Sequence, residues 1–141
     1  MEWFKIKTTS LLVRVAVDEI VYIKADGNYS DLVLINGQCR KMTFQLHYFE
    51  DEIKKLQNAD MFIRLGRSLI INLNYVQMID LIDQTITFGG KHLVRPPRTN
   101  NPHTWRPERD EDSDIYTVNV AREALKSLKD QLVEMKGGEK T

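Results

Sequence analysis

The run FIRLGRSLIINLNYV, residues 62–76, sets two arginines and a serine inside an apolar frame. Phe62, Ile63 and Leu65 lie before or among the polar residues Arg64, Gly66, Arg67 and Ser68, and Leu69, Ile70 and Ile71 follow them. A guanidinium donates parallel hydrogen bonds from a planar fork, which suits phosphate oxygens or the edge of a guanine. If the apolar residues anchor both ends, Arg67 is held out from a core. Nothing else in the chain is spaced for catalysis: no nucleophile–base pair, metal-ligand spacing or glycine-rich phosphate loop is present, so no catalytic residue is assigned. Cys39 has no companion histidine motif and reads as an inert strand residue. His47 and His92 have no partners, and no metal or cofactor is expected.

Length and composition bound what can position those cations. A chain of 141 residues, 42% hydrophobic and 9% aromatic, suits one folded domain. Twenty basic and twenty acidic residues cancel, so any positive patch must arise from local segregation of charge. The single cysteine excludes an internal disulfide. The start, MEWFKIK, has no apolar signal region, and no run approaches the roughly 18 apolar residues of a membrane helix. A reducing, cytoplasmic location with no membrane contact is expected.

The pattern along the chain is mostly β. Phe4 and Ile6, LLVRVAV (11–17), IVYIKA (20–25) and DLVLING (31–37) are short strand-like runs separated by Asp18, by the Asp26-Gly27-Asn28 turn and by Asn36-Gly37. The Asn-Gly pair predicts an antiparallel hairpin of 29–35 with 38–44. In FQLHYFEDEIKKLQN (44–58) the period changes, with Leu46, Phe49, Ile53 and Leu56 on one face, predicting a helix of about three turns near 45–57. VQMIDLI (76–82) and TITF (85–88) follow, and a Gly89-Gly90 turn into KHLVR (91–95) predicts another hairpin. Residues 96–114 hold all four prolines and almost no aliphatic residue, the composition of a long exposed loop. IYTVNV (115–120) resumes the β pattern, and 120–136 reads as an amphipathic helix ended by Gly137-Gly138, with 137–141 a flexible tail. Residues 1–136 therefore read as one α+β domain, mainly antiparallel β. Tyr22, Phe49, Phe62, Ile70 and Leu125 are its expected core, and Asn72 is expected to bind backbone groups at a turn.

Four segments in this order resemble a known family. IVYIKADGNYSDLVLINGQ (20–38), the short helix FQLHYFEDEI (44–53), FIRLGRSLIINLNYVQMI (62–79) and VAREALKSLKDQL (120–132) are similar to the blocks of the LytTR domain, a β-rich DNA-binding module of bacterial response regulators. The third segment is the most specific. The resemblance implies a β-meander scaffold whose loops, rather than a recognition helix, reach double-stranded DNA. Carried over by motif position, the base contacts are Tyr29 with Asn28 beside it, Arg67 with Ser68, and Arg122. Lys24, Arg64, Lys91 and Arg95 are the expected phosphate supports. Gly66 stands where the family usually has histidine, Lys24 replaces an acidic residue, and Ala121 replaces a serine, leaving Asn119 as a possible helix cap.

Each contact has a plainer alternative: a solvated turn for Arg67, turn chemistry for Asn28, strand packing for Tyr29, and a surface ion pair for Arg122. Arg95, Arg98, Trp105, Arg106 and Arg109 could track a phosphate backbone, and Asp110–Asp114 could fold over a basic site as a flap, or the loop could simply be solvated. The resemblance implies a bacterial transcription regulator on repeated sites, as a dimer on DNA, with no receiver domain in the chain and an unidentified upstream sensor or kinase. The alternative is an interaction module that kept the fold and lost DNA binding.

Overall fold

The computed structural model describes residues 2–90, 93 and 116–134. In chain order its elements are β1 (Trp3–Lys7), β2 (Leu12–Ala16), β3 (Ile20–Asp26), β4 (Tyr29–Leu34), β5 (Cys39–Met42), α1 (Leu46–Ile53), β6 (Phe62–Leu65), β7 (Leu69–Asn72), β8 (Val76–Asp80), β9 (Thr85–Phe88), β10 (Thr117–Asn119) and α2 (Arg122–Glu134). Every strand pair is antiparallel. The expected class, mainly β with two helices, is what the chain forms.

Three sheets make up the architecture: β1–β2, a central sheet ordered β5-β4-β3-β7-β6, and a three-stranded sheet ordered β10-β9-β8. Strands β3, β4 and β5 run as a meander joined by the two predicted turns. Helix α1 then carries the chain across, so that the β6–β7 hairpin pairs with the free edge of β3.

Side chains alternate across a strand, and here both faces of the central sheet are buried. Ile23, Leu32, Leu34, Phe62 and Ile70 join one core with Phe4 and Ile6 of β1 and with Leu46, Phe49 and Ile53 of α1. Tyr22, Val33, Leu65, Leu69 and Ile71 join a second core with Ile86, Phe88, Tyr116 and Val118 and with Leu125 and Leu128 of α2. A register shift between Ile20 and Tyr22 lets Val21 and Tyr22 both enter the second core, where strict alternation would send one to each face. The expected core residues Tyr22, Phe49, Phe62, Ile70 and Leu125 are all buried. Asn72 takes its expected place: its Nδ2 donates to Ile20 O at 2.8 Å, and its Oδ1 accepts from Asn74 N at 2.9 Å.

Two expectations are corrected. Helix α1 ends at Ile53, short of the three turns that periodicity predicts. Lys55 N donates to Glu52 O and Leu56 N to Ile53 O in tighter turns that end the helix, and beyond them Gln57 N is held by Glu2 Oε2 at 2.6 Å. The hairpin of 85–88 with 91–95 is replaced as well. Strand β9 has β8 on one edge and β10 on the other, so neither edge is free for 91–95. The 96–114 loop, the 137–141 tail, Lys91, His92 and Arg95 lie outside the described residues.

Candidate nucleic-acid interface

The central sheet brings its turns together because β3 pairs with strands on both sides. Asp26 opposes Tyr29 across a two-residue turn, Gly27-Asn28, and Gly27 has φ +63° while Asn28 does not have a positive φ. That is the pattern of a type II′ turn, whose twist matches that of the flanking strands. On the other side of β3, Lys24 opposes Leu69, and Ala25 N donates to Ser68 O at 2.8 Å. The β6–β7 turn Gly66-Arg67-Ser68 therefore lies at the same end of the sheet as the β3–β4 turn. The two hairpins are neighbours through the direct pairing of β3 with β7, which puts the centres of their turns about 10 Å apart at normal strand spacing.

Lys24, Asn28, Tyr29, Arg67 and Ser68 share this end, with Asn28, Tyr29, Arg67 and Ser68 exposed and Lys24 half-buried. Arg122 comes from outside the central sheet. It is the first residue of α2, exposed, just after the point where Val120 N donates to Gln84 O at 2.9 Å. Ala121 O accepts the first helical bond, from Leu125 N at 3.1 Å. Leu125 and Leu128 of α2 lie in the buried cluster on the face of the central sheet toward which Tyr29 and Lys24 alternate, so α2, with Arg122 at its start, packs on that side of the molecule.

Periodicity does not reveal how the Arg67 turn is held. Gly66 has φ +61°, and a Cβ built there would meet nothing within 4 Å, so the space where a side chain at 66 would begin is open. Arg64 supplies the support instead. Its Nε donates to Gly66 O at 2.9 Å, its Nη2 to Arg67 O at 3.4 Å, and its Nη1 to Glu50 Oε1 of α1 at 2.8 Å. Ile63 and Leu65 face the second core while Phe62 and Arg64 face α1, so the alternation of β6 itself aims the guanidinium at Glu50. Arg64, an expected phosphate contact, thus spends much of its fork on the protein.

A second group, absent from the sequence reading, flanks Tyr29. Lys41 Nζ lies 2.6 Å from Asp26 Oδ2 and 3.0 Å from Asp31 Oδ1, and 5.8 Å from the centre of the Tyr29 ring. Burial alone would lower the Lys41 pKa, but its bonds to the two carboxylates outweigh burial and hold it above the ordinary value. The hydrogen bond and charge of Lys41 hold exposed Asp26 below the usual carboxylate range, whereas burial pushes Asp31 above it in spite of Lys41. Counting back equally from a two-residue Asn36-Gly37 turn pairs Asp31 with Met42; the hairpin instead closes over residues 35–37, where Leu34 N donates to Gln38 O at 2.9 Å, and that shift of one residue places Lys41 opposite Asp31.

The remaining candidates for chemistry stay inert. Cys39 is buried, and desolvation pushes its thiol up, away from the reactive thiolate. His47 is exposed on α1. Among the described residues no group of His, Cys, Asp and Glu could hold a metal, and no helix is long and apolar enough to cross a membrane.

A β scaffold that gathers turns and a helix N-terminus on its surface defines the class, and comparison with known proteins gives the family. Residues 10–99 match the model of the LytTr DNA-binding domain, so this chain belongs to that family, one of DNA-binding domains and not of enzymes. The fold is similar to that of the LytTr DNA-binding domain of a Bacillus cereus protein described as a methyl-accepting/DNA response regulator. That match has a TM-score of 0.55 and 18% identity, over 96% of this chain and 99% of that one. No curated protein matches the sequence. The family implies DNA binding in transcriptional regulation.

Proposed function

We propose that this chain is a cytoplasmic bacterial transcription regulator that reads duplex DNA sequence through turns of its β scaffold. Arg67 with Ser68, and Tyr29 with Asn28, would meet base edges from the shared end of the central sheet, and Arg122 would do so from the start of α2. Lys24 would bind phosphate beside them, with Lys91 and Arg95 as further phosphate contacts outside the described residues. The observation that carries this reading is the convergence of the 26–29 and 66–68 turns on the two sides of β3, in a chain of this family. An exposed arginine on a short turn anchored by Leu65 and Leu69 can present its fork to a groove with little freedom of its own. Repeated sites occupied by two copies are part of the proposal.

Fluorescence anisotropy with duplexes selected from a random pool, across a salt series, tests it. The wild type should bind with a steep loss of affinity as salt rises. Arg67→Ala should lose about 1–3 kcal/mol of preference for the selected sequence over a scrambled one. Absence of binding to every selected duplex at low salt overturns the reading and favours an interaction module.

A further inference from the structure

We infer that Glu50 and Arg64 are positioning residues for sequence readout, clamping the 66–68 turn so that helix α1 sets the aim of Arg67. The inference rests on the proposed DNA reading and assigns Arg64 a role other than phosphate contact. Three observations carry it. Gly66, Arg67 and Ser68 are all exposed, with open space where a Gly66 side chain would begin, so burial does little to order the turn. Two of its carbonyls, those of Gly66 and Arg67, accept from the Arg64 guanidinium, at 2.9 and 3.4 Å, while Ser68 O is tied to Ala25 N of β3. The same guanidinium is fixed by Glu50 at 2.8 Å, and Glu50 stands on a helix seated in the core through Leu46, Phe49 and Ile53. The turn is thus held from both flanks, by β3 on one and by α1 acting through Arg64 on the other.

Lysine cannot reproduce the fork, because one ammonium cannot span the two carbonyls and the carboxylate together, yet it keeps the charge that a phosphate would attract. Glu50 separates the possibilities further. Near DNA, a carboxylate acting only through its charge repels phosphate, so Glu50→Gln should then tighten binding to every duplex. A positioning carboxylate predicts the opposite.

The test uses the full chain and selected duplexes. Arg64→Lys and Glu50→Gln should each lower the preference for selected over scrambled sequence about tenfold, with the salt slope changed by less than about 0.5. Nitrogen-15 relaxation of the free protein should show the order parameters of Gly66, Arg67 and Ser68 falling from about 0.85 toward 0.6 in both variants. Unchanged preference in Arg64→Lys, or uniformly tighter binding in Glu50→Gln, overturns the inference. So do unchanged order parameters, which are read without DNA. If the wild type binds no selected duplex, the DNA reading fails, and with it the readout role, whereas failure of the clamp alone leaves wild-type recognition and the Arg67→Ala effect intact. Should Arg64→Lys unfold, Glu50→Gln, which keeps the side-chain shape, decides alone.

Discussion

Arg67 and Arg64 are three residues apart and of one type, yet among the described residues one has a fork without partners and the other an occupied one. The Arg64–Glu50 pair has side-chain exposures of 28% and 34%, and an ion pair that accessible is worth about 0.2–1 kcal/mol of stability. Its loss would hardly move a melting curve but would release the turn proposed to carry base discrimination. Lys41 shows the reverse balance. Asp31 is buried, and removing its cation strands a carboxylate in a low-dielectric site. Lys41→Met should therefore destabilise the protein by about 1–3 kcal/mol at neutral pH. The pH dependence follows from the sign of each shift. The folded Asp31 pKa lies above its unfolded value, so ionised Asp31 costs stability above the folded value, and that cost fades as pH falls through it. Asp26, held low by Lys41, contributes stability above its unfolded pKa that is lost as pH falls through the folded one. Both effects make the variant's deficit largest at neutral pH and smaller in acid. Urea denaturation of both proteins near pH 7 and near pH 4 checks this, and an equal deficit at both would refute it.

Among the elements, the turns were the most readable from sequence, because their residues carry the reason for their geometry. Gly27 and Gly66 both adopt a left-handed backbone. Histidine, the family's usual residue at position 66, is with Asn and Asp several-fold enriched in that region relative to other non-glycine residues. The departure at Gly66 thus preserves backbone conformation while dropping a side chain. Gly66→His should cost less stability than Gly66→Ala, which should lose about 1 kcal/mol since a Cβ there meets no neighbour and only backbone strain remains. Denaturant midpoints at constant m-value measure both. The strands β3, β4 and β7 were legible as apolar runs, and the buried role of Asn72 as an amide among aliphatics. What sequence did not reveal depended on distant partners. Glu2 holds the amide of Gln57, just past α1, from 55 positions away, β10 takes the edge of β9 that a local hairpin would use, and Glu50 meets Arg64 across an intervening turn. None of these leaves a mark in local periodicity. The convergence of the 26–29 and 66–68 turns was likewise hidden until the pairing of β3 on both edges was known.

At the scale of the whole molecule, a formal net charge of zero leaves little overall field to draw DNA in, so recognition must rest on where a few cations are held. Arg67 stands on a turn of the central sheet and Arg122 at the start of α2, which follows the three-stranded sheet, and what fixes one relative to the other is the second core. Tyr22 stacks on Phe88 with ring centres 5.2 Å apart, and Tyr116 Oη donates to Leu34 O at 2.8 Å, joining the central sheet to the three-stranded one. Leu65 and Leu69, which bracket the Arg67 turn, lie in the same buried cluster as Leu125 and Leu128 of α2. A close-packed core of this kind transmits position without hinging. The two arginines share no hydrogen-bond partner among the described residues, so their contributions to binding should be independent if the body is rigid. Arg67→Ala and Arg122→Ala should then add in the double variant to within about 0.5 kcal/mol of binding free energy, measured by anisotropy on one selected duplex. A larger coupling would mean that the sheets shift against each other when one contact is lost, and that the second core does not hold the two contacts in a fixed frame.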